Sequence, residues 1–180
     1  MHRTLLIAAA LVAAGPALAQ DGLDSRHGFR LGYSYQDHEE LLHPHLFVMG
    51  YELSQRRSGG AGLDVLFVEN LMISGLNQSR LVPSANLLVG ASIHDTVEVG
   101  VGPNLSFLPD LTPNMVAAIG ITVPAGDFDV PVHLAWVSDE GTVGRVVLTT
   151  GVNWGGGRAR AESAPLAPPP DSRSADTPRG

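Results

Sequence analysis

The stretch Thr96-Val97-Glu98-Val99-Gly100-Val101-Gly102-Pro103-Asn104-Leu105-Ser106-Phe107 decides how the chain is read. Val97, Val99, Val101, Pro103, Leu105 and Phe107 fall on one parity, and small or polar residues fill the other. A step of two returns side chains to the same face of an extended strand. The segment is therefore a strand with one large apolar face and one small, polar face. The same rule holds for Phe29, Leu31, Tyr33 and Tyr35, for Val130, Val132, Leu134 and Trp136, and for Val146, Leu148, Thr150, Val152 and Trp154. It holds less sharply for Phe47, Met49, Tyr51 and Leu53, for Leu87, Val89 and Ile93, and for Met115, Ile119 and Ile121.

Working outward, the pattern predicts an all-β chain of eight strands, over 29–36, 45–55, 63–74, 81–93, 96–107, 114–123, 129–138 and 143–154. The connectors are turn-like: RRSGGAG, the pair His94-Asp95, LPDLTP, PAGD and SDEGT. Several strands are about twice the usual 5–6 residues of soluble sheets, near the length a tilted strand needs to cross a bilayer. An even number of long strands with short connections predicts an antiparallel up-and-down closed barrel.

The ends differ from this core. Met1 to Ala19 has a charged start, an apolar stretch from Leu5 to Ala14, a Gly15-Pro16 break and an Ala17-Leu18-Ala19 end, which reads as a signal peptide cleaved after Ala19. Residues 155–180 are rich in proline, alanine, serine and arginine and almost devoid of large apolar side chains, so they read as a disordered tail. The domain division is thus 1–19 signal peptide, 20–154 barrel and 155–180 tail.

Composition narrows the class. With no cysteine, the chain holds no disulfide framework, no thiolate zinc site and no thiol nucleophile. With 18 acidic residues against 11 basic, all of them arginine, and no basic cluster, nucleic acid is not expected as a partner. Charged residues are 16% of the chain, which leaves too few to coat the outside of a soluble barrel. The small, polar face suits the cramped inside of an eight-stranded barrel. The large apolar face then points to lipid. Tyr35, Phe107, Trp136 and Trp154, near strand ends, fit aromatic belts at the two membrane interfaces.

In these features the chain resembles the small eight-stranded outer-membrane β-barrel proteins of Gram-negative bacteria, over Phe29 to Trp154. The resemblance is one of architecture and rests on no subfamily motif. It implies a transmembrane barrel in the outer membrane, contact with outer-membrane lipid and lipopolysaccharide, and handling by the barrel-assembly machinery. That machinery would read a final strand ending in an aromatic residue, here Trp154. In the family the chain usually stops there, whereas this one runs on to Gly180. With both ends periplasmic, connections 37–44, 75–80, 108–113 and 139–142 face outward, and all are short.

Strand direction places the inward charges by height. Arg30, Glu52, Asp64, Glu98 and Asp129 fall near the periplasmic end and Arg145 near the external end. Together with His133 they form a predicted lumen network that plugs the barrel, in preference to lining a pore, because eight strands enclose little more than side chains. Asp37-His38-Glu39-Glu40, His43 and His45 concentrate metal-ligand types, but no ligand spacing among them is regular, and they read as a solvated loop. His133 and Asp129 are about 13 Å apart along one strand, too far for direct contact, so no catalytic residue is assigned, although Ser34, Ser92 and Ser106 face inward. Glu69 breaks the pattern: strict alternation puts it among Val65, Phe67 and Leu71 on the lipid face. A β-bulge at Val68-Glu69-Asn70 would turn it inward. A protein contact or a register shift would also account for it.

The sequence thus predicts an integral outer-membrane barrel without enzymatic activity, metal or cofactor, serving envelope structure or passive small-solute passage. The alternatives are a secreted soluble barrel holding an apolar ligand, and a lipid-modifying membrane enzyme. The sequence does not fix the oligomeric state.

Overall fold

The computed structural model describes residues 23–36, 41–107, 111–138 and 144–155. Eight strands follow one another: β1 Leu23–Gln36, β2 His45–Ser58, β3 Leu63–Ser74, β4 Val82–Ile93, β5 Val97–Phe107, β6 Leu111–Ala125, β7 Phe128–Val137 and β8 Arg145–Gly155. Each pairs antiparallel with its neighbours in sequence, and β8 returns to β1, closing the barrel. A 3-10 turn at Leu76–Gln78 interrupts the β3–β4 connection. The signal-peptide and tail expectations, and the acidic segment 37–40, lie outside the described residues.

The register fixes the barrel's geometry. Directly opposed residues run from Ser25 through Gln55, Phe67, Val89, Val101, Ala117, Trp136 and Val146 to Tyr35, which is ten residues further along β1 than the start. That stagger tilts the strands from the barrel axis, by roughly 35–45° for closed barrels in general. The tilt in turn accounts for strands of 10 to 15 residues.

Turn chemistry differs at the two ends. At the end holding Leu23 and Gly155, the strands are joined by very short links. His94 and Asp95 both take left-handed backbone angles (φ 50° and 55°), the arrangement of a type I′ hairpin, and the Thr96 amide closes the turn onto the Ile93 carbonyl at 3.1 Å. The β6–β7 link is Gly126-Asp127, with Gly126 at φ 71°. At the opposite end the connections are 37–44, 75–81, 108–110 and 138–144.

All eight expected strands are present; β4, β5, β7 and β8 match within two residues, and β1, β2 and β6 run longer. β1 starts at Leu23 rather than 29, β2 runs to Ser58, and β6 spans Leu111–Ala125. The added turns of alternation carry polar groups on both faces, such as Ser25 and His27 outside against Asp24 and Arg26 inside. A hydrophobicity pattern does not register them. One expectation is overturned. No bulge turns Glu69 inward: β3 pairs without a break on both sides, Leu53 opposite Glu69 and Glu69 opposite Leu87. Backbone pairing on two sides holds the alternation, so Glu69 stays on the outer face.

The barrel is inverted in polarity relative to a water-soluble one. Phe29 and Ile119 are 62% and 54% exposed on the outside, while Arg30 and Glu52 inside are 1% and 2% exposed. Outward apolar side chains come from every strand. Inside, one sector is apolar, formed by Leu66, Val68, Leu88, Val116 and Val137. Leu46, Val48, Met72 and Val82 are also buried inside, and polar and charged side chains fill most of the remaining interior.

Candidate functional site

The polar interior is built on arginines that alternation turns inward. Arg30 on β1 donates to both carboxylate oxygens of Glu52 on β2, to Asn153 Oδ1 on β8 at 2.7 Å and to the Phe29 carbonyl at 3.1 Å. Arg26, two inward steps below, pairs with Asp129 on β7 and with Asp24, each at 2.9 Å. Arg56 on β2 pairs with Glu98 on β5 and reaches Asp95 in the β4–β5 turn at 3.2 Å. Glu98 also accepts from Thr122 Oγ1 at 2.9 Å. His133 on β7 joins the two halves, with Nε2 3.1 Å from Glu98 and Nδ1 3.7 Å from Glu52.

The arrangement is two polar groups in the lumen near the end that holds Leu23 and Gly155: Arg30, Glu52, His133, Glu98 and Arg56 in one, and Arg26, Asp24 and Asp129 in the other. A buried ion is tolerated only when paired and hydrogen-bonded, and each of these guanidinium groups is paired with at least one carboxylate drawn from another strand, although Arg56 Nε finds no acceptor among the described residues. Of the residues singled out from the sequence, Arg30, Glu52, Glu98 and His133 are brought together in the first group, and Asp129 falls in the second. Asp64 faces inward at the same end but finds no hydrogen-bond or ion-pair partner among the described residues. Arg145 lies at the opposite end, buried, 3.5 Å from Ser106 Oγ. Asp129 pairs with Arg26, and among the described residues the Ser34 and Ser92 hydroxyls have no hydrogen-bond partner. His43 and His45 are apart from this network; the His45 ring packs on Tyr35.

Sequence reading missed Arg26, Arg56, Asp24 and Asp95. Parity was the available signal: Arg26 is two inward steps from Arg30, and Arg56 two from Glu52. It also missed a ladder of asparagines. Asn70, Asn86, Asn104 and Asn114 stand directly opposite one another across β3, β4, β5 and β6, all on inward parity. Asn104 is fully buried and donates to the Asn86 side chain. The row continues through Glu52, which opposes Asn70.

Among the described residues the interior holds a cavity of about 60 Å³ and one of about 40 Å³, both bordered by Glu52, Asn70, Leu88 and His133. Each is enough for a few water molecules. A larger hollow of about 370 Å³ lies on the outer wall over β2 to β5, around Glu69.

Aromatic rings mark both rims. Trp154 packs with His27, Phe29 and Tyr51 near the terminal end, at ring-centre distances of 5.0, 5.6 and 6.5 Å. Tyr35, Trp136 and Phe107 stand toward the opposite end, Trp136 and Tyr35 both opposing Val146.

These features define a class: a closed, eight-stranded, up-and-down β-barrel of the transmembrane type, with an ionic interior and an apolar exterior. No protein-family model and no curated protein matches the sequence. Among solved structures, the crystal structure of Ail, the attachment invasion locus protein of Yersinia pestis, superposes with a TM-score of 0.50 at 12% identity, covering 74% of this chain and 96% of its own. A de novo designed transmembrane β-barrel covers 75% of this chain and 96% of its own, with a TM-score of 0.47 at 12% identity. The likeness to Ail is one of fold, and the architecture expected from the sequence is the one observed.

Proposed function

We propose that the protein is an integral outer-membrane barrel that serves the envelope as a membrane-embedded structural element, without enzymatic activity. One observation carries the reading: every strand presents exposed large apolar side chains on the outside, while Arg26, Arg30, Glu52, Arg56, Glu98, Asp129 and Arg145 are buried inside. Such a surface matches hydrocarbon, where closed barrels satisfy every backbone hydrogen bond internally. Between the two roles left open by the sequence, structure is favoured over solute passage. The interior cavities are far smaller than a metabolite, and paired charges occupy the space between them. Outer-membrane lipid and lipopolysaccharide surround the barrel in this reading, the aromatic rims sit at the two interfaces, and the assembly machinery acts on β8 and Trp154.

The test is mobility on SDS gels before and after boiling, using the membrane fraction, followed by conductance in planar bilayers. A boiling-dependent shift with no conductance is the expected result. A protein that stays folded in buffer without detergent would overturn the membrane reading, and steady conductance would overturn the sealed lumen. Turnover of lipid lost in His133→Ala would replace both with an enzyme.

A further inference from the structure

The outer hollow sits where the wall departs from a regular sheet. The β4–β5 ladder holds at Asn86–Asn104 and again at Val89–Val101, but lapses between them, at Leu87-Leu88 opposite Gly102-Pro103. Pro103 has no N–H to offer a partner strand. Beside this lapse, Ala85 and Pro103 give little side-chain height among taller neighbours, Tyr51, Leu71, Leu87 and Leu105, and a groove of about 370 Å³ results. Its lining is apolar apart from Glu69 and the edges of Asn70 and Asn86. Glu69 lies midway along β3, and its carboxyl group makes no hydrogen bond or ion pair among the described residues.

A carboxyl group midway along a lipid-facing strand is rare, and such groups are ordinarily paired. Pairing with the lumen is closed to Glu69, because the unbroken β3 register keeps it outside. Lipid headgroups lie at the interfaces, away from its depth. A second copy presenting the same face would set hollow against hollow and carboxyl against carboxyl. A convex apolar body carrying a positive charge meets both demands.

We propose that this groove binds a membrane-dissolved organic cation, an alkyl or aryl amine, whose ammonium group pairs with Glu69 while its apolar body lies over Ala85 and Pro103. The proposal rests on the membrane reading above. Insertion into nanodiscs, scored first by the boiling-dependent gel shift, separates a failure of that reading from a failure of this one.

The test uses the full barrel in zwitterionic nanodiscs with a diazirine-bearing dodecylamine, and the equivalent alcohol and carboxylic acid, followed by mass spectrometry of labelled peptides. The amine is expected to label residues of β3, β4 and β5 in a saturable manner, at least tenfold above the alcohol and acid. Glu69→Gln removes the charge and should reduce that labelling about tenfold while keeping the gel shift. Ala85→Phe, which fills the hollow and leaves Glu69 intact, should reduce it equally. Uniform labelling around all strands would show partitioning alone and overturn the site. So would equal labelling by amine, alcohol and acid, or groove labelling that Glu69→Gln leaves unchanged. A cross-linked dimer lost in Glu69→Gln would assign the groove to a second copy instead.

Discussion

Arg30→Ala tests the ionic interior directly. The Arg30 side chain is fully buried and holds Glu52 through two hydrogen bonds and Asn153 Oδ1 through one of 2.7 Å. Truncation leaves Glu52 buried, with the His133 ring at 3.7 Å as its nearest remaining partner, and strips Asn153 of a donor. Removing one partner of a buried pair costs about 3–5 kcal/mol, and a lost neutral acceptor adds about 1 kcal/mol. The net expectation is a loss of about 4–6 kcal/mol, read from urea unfolding in phosphatidylcholine vesicles by tryptophan fluorescence. The double variant Arg30→Met with Glu52→Met removes both charges and leaves comparable volume, so it should recover to within about 1–2 kcal/mol of the parent. If Arg30→Ala costs less than about 1 kcal/mol, or the double variant is no better than the single, the interior is solvated and the charges do not form a plug.

Other substitutions address different parts of the barrel. Ile119→Arg, on the exposed outer face of β6, should cost about 2–4 kcal/mol in vesicles, as arginine does at the bilayer midplane, whereas a water-facing surface would tolerate it. Gly151→Ala places a Cβ 1.8 Å from the Phe29 carbonyl oxygen, so the β1–β8 seam must shift, and a loss of about 1–3 kcal/mol should lower the temperature at which the gel mobility changes. His94→Asn suits the left-handed turn position better and should stabilise by about 0.5–1 kcal/mol in the same melt; a decrease would show that the turn does not carry that backbone strain.

What the sequence displayed was the side of each strand, because alternation is local. Val97 to Phe107 can be sorted into two faces without knowing anything about β4 or β6. What it concealed was anything that depends on register. Asn70, Asn86, Asn104 and Asn114 are scattered along the chain and become a ladder only when four strands align. Arg26 was hidden because Ser25 and His27 beside it are polar, which erases the contrast that marks a strand. Glu69 was misplaced by treating its own solvation as decisive, when continuous pairing with both β2 and β4 outweighs the discomfort of one side chain. The groove around it follows from Pro103 and Ala85 lying near Glu69 across three strands, again a matter of register.

Arg30 has a further consequence for how the barrel comes to be. It belongs to the first strand, one of its partners belongs to the second, and another belongs to the last, separated from it by 123 positions in the chain. Arg26 likewise waits for Asp129, 103 positions away. Until β7 and β8 arrive, a half-built sheet carries these guanidinium groups incompletely matched in its concave face. The first and last strands of the barrel are thus joined by an internal clasp that fastens only when the circle is complete, and an open sheet with one strand missing is disfavoured at the position where closure must occur.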